Sequence, residues 1–189
     1  RGGRIGGRRL SHRPAGGLRR HFGRRLRKHL VQGAEQEIVH QAPAEFLAEQ
    51  VPDCRQQALW LDRDLKEQAA ALLERPYAGA RVRYCERDGR TAWILDEIGK
   101  TEPITTGIVI DEGRVQQVRV LVFRESRGGE VHREAFTRQF AQATLDDAHR
   151  LDRTIDGITG ATLSVWALNR QVRLALLFDG AVRAKRDDA

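Results

Sequence analysis

The sequence predicts an α+β fold in which helices pack on a central antiparallel sheet. Two turn sequences, Asp88-Gly89 and Asp111-Glu112-Gly113, each separate segments of alternating apolar residues, which is the pattern of a β-hairpin. Near the end of the chain, residues 161–178 repeat apolar side chains at the spacing of an α-helix. A length of 189 residues suits one domain with a substantial core.

A basic arm over residues 1–42 precedes the predicted fold. Residues 1–30 hold eleven of the 33 basic residues and no acidic one, so the remainder has 22 basic against 26 acidic residues. The net charge of +7 therefore belongs to the arm. Because Gly and Arg dominate its sequence, we expect the arm to be disordered, or weakly helical near Phe22 to Leu30. Such segments can neutralise phosphates, but with the arm as its only support, nucleic-acid binding is the weaker interpretation.

A helical cap with one strand is predicted over residues 43–76. The first helix begins at Pro43, in the segment PAEFLAEQV, and residues 57–61 have the composition of a strand. A second helix is expected over about residues 64–74, because its apolar residues share one face and Pro76 ends it.

The main domain is predicted over residues 77–180 and contains both hairpins. The second hairpin pairs residues 104–110 with residues 115–123, where valines alternate with other residues as in a sheet with one buried face. We assign Trp60 and Trp93 to the core of the protein.

Two helices are predicted after the hairpins. A short one covers residues 134–143, and an irregular acidic segment separates it from the last helix, over about residues 161–178. Gly180 is expected to end the last helix, so residues 181–189 form a polar tail. The stripe that faces the core is Val165, Leu168, Val172, Ala175 and Leu176.

The sequence DGITGATLS, residues 156–164, lies where the irregular segment becomes the last helix. Thr159 is a suitable N-cap, Gly160 permits close approach of a ligand to the backbone, and Thr162 falls in the first turn. The N–H groups of that turn lack helical partners and the helix dipole is positive there, which favours a phosphate. On spacing alone, a cap without a ligand is the commoner explanation.

This sequence resembles the flavin-attachment motif of the FMN-binding domain family, whose pattern is roughly Asp-x-x-(Ser/Thr)-Gly-Ala-Thr. The family includes the C subunit of the sodium-pumping NADH:quinone oxidoreductase and the G subunit of the Rnf complex. The resemblance implies FMN as the cofactor, joined to Thr162 through a phosphoester. It also implies that Asp156, Thr159, Gly160 and Ala161 take part in cofactor recognition.

A second segment supports the resemblance. The second hairpin and the loop after it are similar to a strand, turn and strand of the family, followed by a loop whose commoner sequence is Glu-Thr-Pro-Gly. Here the loop is Glu125-Ser126-Arg127-Gly128, with Ser in place of Thr and Arg in place of Pro. The resemblance implies that Glu125, Ser126 and Gly128 lie close to the flavin. It covers about residues 77–178.

The resemblance implies an electron carrier rather than an independent enzyme. We expect an FAD:protein FMN transferase and membrane-associated redox proteins as partners, in the periplasm or on the outer face of the cytoplasmic membrane. The chain has no apolar segment of about 20 residues and no visible signal sequence, so we expect that a signal sequence is missing from the recorded chain. A sensory or assembly module that binds FMN without a covalent bond is the alternative.

Other side chains carry weaker functional signals. Thr105, Thr106 and Trp166 are candidates for contact with the flavin, although each also suits an ordinary structural position. Cys54 and Cys85 could pair or remain two separate thiols. The histidines lack the spacing of metal ligands. The sequence also lacks the Gly-x-Ser-x-Gly motif that would indicate a hydrolase.

Overall fold

The structure, a computed structural model, describes residues 37–188. The predictions about residues 1–36, including their disorder, lie outside the described residues. Within this range the chain forms six strands, four α-helices and two short 3-10 turns, which confirms the predicted α+β class. None of these helices is long and apolar enough to cross a membrane.

The six strands form one antiparallel sheet. They are β1 (Ile38–Val39), β2 (Arg55–Trp60), β3 (Arg81–Arg87), β4 (Arg90–Ile98), β5 (Pro103–Asp111) and β6 (Arg114–Phe123). Their order in the sheet is β1-β6-β5-β4-β3-β2. Both predicted hairpins are confirmed, and their turns, Asp88-Gly89 and Glu112-Gly113, have positive φ at both residues, as the twist of a two-residue hairpin requires. β1 comes from the last part of the segment predicted as an arm.

The last helix, α4 (Thr162–Asp187), covers one face of the sheet together with α2 (Arg63–Leu73). The predicted apolar stripe of α4 is confirmed, since all five side chains are buried. The predicted end at Gly180 is wrong. A single glycine weakens a helix without ending it, and Val182, two residues after Gly180, is again buried and holds the helix on the core.

Local signals set the ends of the two N-terminal helices. Helix α1 (Pro43–Gln50) begins with proline, whose missing N–H costs nothing at that position. Helix α2 begins after Asp62, whose carboxylate accepts a hydrogen bond of 2.9 Å from the N–H of Leu65. It ends at Glu74 in the left-handed conformation, two residues before Pro76. The predictions of both helices are confirmed.

A smaller apolar layer covers the opposite face of the sheet. Helix α1 places the ring of Phe46 against Gly107 of β5, where an added Cβ would lie 2.5 Å from the ring. A disulfide joins Cys54 to Cys85 of β3, with the two Cα atoms 5.5 Å apart. The structure therefore settles the pairing that the sequence left open.

Two sequence predictions fail at the margins of the fold. Trp60 is 61% exposed, because its neighbour Leu59 faces the core and β2 lies at the sheet edge, where no further strand covers the outward side chain. The helix predicted over residues 134–143 is shorter, with α3 (Glu134–Thr137) passing into a 3-10 turn. Trp93, by contrast, is fully buried as predicted.

Alanine substitutions at Gly107 and Gly180 should have opposite effects on the free energy of unfolding. Gly107→Ala forces a methyl group into the ring of Phe46, so the free energy of unfolding should fall by about 1–3 kcal/mol. Gly180→Ala meets no atom within 4 Å and lies inside α4, so stability should rise by about 0.5–1 kcal/mol. Urea unfolding measures both. A Gly107→Ala protein as stable as wild type would contradict the described packing of α1.

Candidate functional site

The motif over residues 156–164 forms an irregular turn and the beginning of α4. The helix starts at Thr162, and its N-cap residue is Ala161, which offers no side-chain cap. The prediction that Thr159 is the N-cap is therefore wrong. Thr159 lies in a turn that is closed by a 2.9 Å hydrogen bond from the N–H of Ala161 to the carbonyl of Ile158. Because of this turn, the helix starts later in the chain.

The N-terminus of α4 is open to a ligand. The first helical hydrogen bond runs from the N–H of Val165 to the carbonyl of Ala161 at 3.0 Å, so the N–H groups of residues 162–164 have no partner within the helix. Gly160 has a φ of +82° and no atom within 4 Å of where its Cβ would lie. Thr162 is exposed. A hydroxyl, free N–H groups and open space therefore meet at one point.

The loop Glu125–Gly128 packs directly against this helix start. Gly128 has a φ of +84°, and a Cβ at this position would lie 2.6 Å from Oγ of the buried Ser164 and 3.4 Å from Ala161. Only glycine both adopts this positive φ readily and lacks the Cβ that would collide with Ser164. Gly128 thus acts by letting the loop approach α4.

Glu125 holds a third segment in place. Its buried carboxylate accepts hydrogen bonds from the N–H groups of Lys100, Thr101 (2.7 Å) and Glu102 (2.9 Å). Burial alone would raise the pKa of Glu125, but these bonds and one from the Thr101 hydroxyl together outweigh burial and lower the pKa. Glu125 stays charged and fixes the turn between β4 and β5 beside the start of α4.

These three segments enclose a cleft of about 570 Å³, here called the α4 cleft. Its lining residues are Lys100, Glu125, Ser126, Arg127, Gly160, Ala161, Thr162, Leu163 and Ser164. A second groove of about 470 Å³, here called the adjoining groove, shares Ser126, Arg127 and Gly160 with it and is also lined by Gly128, Gly129, Glu130, His132, Arg133 and Thr159.

Comparison with known families identifies the segment that contains both grooves. Residues 99–177 match the family model described as the FMN-binding domain. This segment is an FMN-binding domain. The match begins after β4, later than the resemblance expected from about residue 77. No curated protein and no solved structure matches the chain.

The FMN-binding domain brings most of the predicted site residues together. Ser126, Gly160, Ala161 and Thr162 line the α4 cleft, and Gly128 and Thr159 line the adjoining groove. Asp156 lines neither groove. Its side chain is exposed, and its backbone N–H donates to Oε1 of Gln139 at 2.7 Å. In this fold Asp156 therefore stands apart from the groups that surround Thr162.

The residues present fit a flavin phosphate. The α4 cleft lies within the range of about 300–1,000 Å³ that is typical of small-molecule pockets. Helical N–H groups and the positive end of the helix dipole favour the phosphate, and the cationic side chains of Lys100 and Arg127 add to that preference. The sequence motifs did not indicate Lys100, because only the turn held by Glu125 brings it to Thr162.

The weaker candidates for contact with the flavin are Thr105, Thr106 and Trp166. Thr106 is fully buried and donates to Oε1 of Gln171 at 2.7 Å. Thr105 is also buried, and its hydroxyl accepts a 2.9 Å bond from Arg124. Neither threonine lines the α4 cleft or the adjoining groove, so both stand apart from the residues around Thr162. Trp166 is 52% exposed one turn after Thr162, beside Leu163 at 40%.

Glu125→Gln should reduce stability in a pH-dependent way. Because the folded-state pKa of Glu125 lies below the ordinary 4.5, its stabilisation is complete above that value and is lost as the pH falls through the folded-state pKa. At pH 7 the glutamine variant should be about 1–3 kcal/mol less stable than wild type, since it loses charge-assisted hydrogen bonds.

Urea unfolding at pH 7 and at about pH 3 measures this difference, which should shrink at the lower pH. Glu130→Gln is the matched control, because Glu130 is exposed in the same region. A loss of stability that is equal at both pH values would contradict the role given to the carboxylate charge.

Proposed function

We propose that the FMN-binding domain carries FMN attached through a phosphoester to Oγ of Thr162. The observation that carries this proposal is the exposed Thr162 hydroxyl, which lies at an uncapped helix N-terminus in the α4 cleft. The free N–H groups of residues 162–164 stabilise the remaining negative charge of the phosphodiester. A covalent bond also prevents loss of the cofactor by dissociation.

The attachment is a phosphoryl-group transfer from FAD, catalysed by an FAD:protein FMN transferase. Oγ of Thr162 forms a bond to the phosphorus of the FMN half, the pyrophosphate bond of FAD breaks, and AMP leaves. The hydroxyl proton passes to a base of the transferase. The exposure of Thr162 supports this reaction, because a second protein must reach the hydroxyl.

The proposed role of the loaded protein is to relay electrons between membrane-associated redox proteins outside the cytoplasm. When bound, FMN supplies the redox chemistry, and the protein holds and orients it. The exposure of Leu163 and Trp166 beside Thr162 supports a cofactor edge that partners can approach. The Cys54–Cys85 disulfide supports an oxidising compartment, since such bonds are rare in cytosolic proteins.

Co-expression with the transferase should add the mass of one FMN, less one water, to the intact protein. Thr162→Ala should abolish the added mass, because the bond requires the hydroxyl. Thr154→Ala is the matched control, since Thr154 is exposed in the same irregular segment but lines neither groove. Intact-protein mass spectrometry under denaturing conditions measures all three proteins.

The proposal is contradicted if wild type stays unmodified while the same transferase flavinylates another acceptor. A yellow protein that loses its flavin on denaturation identifies non-covalent FMN binding instead. Added mass that persists in Thr162→Ala places the bond on another residue.

A further inference from the structure

We propose that Arg127 raises the redox potential of the flavin by placing a positive charge beside its ring. This inference rests on the proposed attachment of FMN at Thr162. Arg127 occupies the loop position where the commoner family sequence has proline, so the charge is a property of this chain.

The position of Arg127 makes the inference independent of which groove accepts the ring. The α4 cleft and the adjoining groove share Ser126, Arg127 and Gly160, and Arg127 is the one charged residue among these three. Thr162 is two residues after Gly160, which lines both grooves, so it lies close to the point where the grooves meet. A flavin tethered at Thr162 that enters either groove lies beside Arg127.

Arg127 is exposed and forms no ion pair within residues 37–188. Of the acidic residues that line the grooves, Glu125 keeps its charge but directs its hydrogen bonds to three backbone N–H groups and forms no ion pair with Arg127, and Glu130 lines only the adjoining groove. Lys100 lines only the α4 cleft, and His132 and Arg133 line only the adjoining groove.

A nearby cation favours the reduced flavin over the oxidised flavin. Reduction adds electron density to the ring, and charge near its nitrogen atoms is one of the means by which proteins tune flavin potentials. Removing the charge of Arg127 should shift the equilibrium between oxidised and reduced flavin by about tenfold, which equals about 30 mV for a two-electron couple. The effect should weaken at high salt, since Arg127 is exposed.

The test compares the midpoint potentials of flavinylated wild type, Arg127→Gln, Arg127→Lys and Arg55→Gln. Dithionite supplies the two electrons that each flavin accepts, solvent supplies the protons, and mediator dyes report the potential. Arg55→Gln is the matched control, because it removes the same charge from an exposed position on β2 that lines neither groove.

We expect Arg127→Gln to lower the potential by about 30 mV, Arg127→Lys to retain most of the wild-type value, and Arg55→Gln to leave it unchanged. Equal potentials in Arg127→Gln and Arg55→Gln overturn the inference, and so does a difference between wild type and Arg127→Gln that does not shrink at high salt. Failure of wild type to carry FMN contradicts the proposed function instead, and intact mass detects it before any titration.

Discussion

The position of α4 on the sheet depends on the buried side chain of Gln171. Its Oε1 accepts a hydrogen bond from the hydroxyl of Thr106, and its Nε2 donates to the carbonyls of Leu95 and Ile104 at 2.9 and 2.7 Å. A buried amide with three partners tolerates little sliding or rotation, because each lost bond leaves an unsatisfied polar group. The start of α4, about two and a half turns away, is therefore fixed relative to β4 and β5.

The candidate site uses that fixed helix start as one wall and brings two loops to it. Gly128 lets the loop after β6 approach Ser164, and Glu125 in the same loop holds the turn that carries Lys100. The first residues of α4, with their free N–H groups, thus line one cleft together with two cationic residues, Lys100 and Arg127. This arrangement favours the binding of a phosphate whether or not a covalent bond forms at Thr162. The family match adds the identity of the cofactor, FMN.

Local patterns predicted the secondary structure well, and long-range contacts explain most of the failures. Hairpin turns and the apolar stripe of α4 depend on neighbouring residues, so they could be predicted. The exposure of Trp60 depends on its place at the sheet edge, and the continuation of α4 past Gly180 depends on contacts of Val182. The motif pointed to Thr162, whereas the approach of Lys100 follows only from the folded position of Glu125.

The most direct measurement is peptide mapping of the protein after co-expression with an active transferase. Trypsin should cut after Arg153 and Arg170, which releases residues 154–170 as one peptide with three threonines and Ser164. The account predicts that this peptide carries one FMN and that fragmentation places it on Thr162. An FMN located on Thr154, Thr159 or Ser164, or in any other peptide, would contradict the central claim.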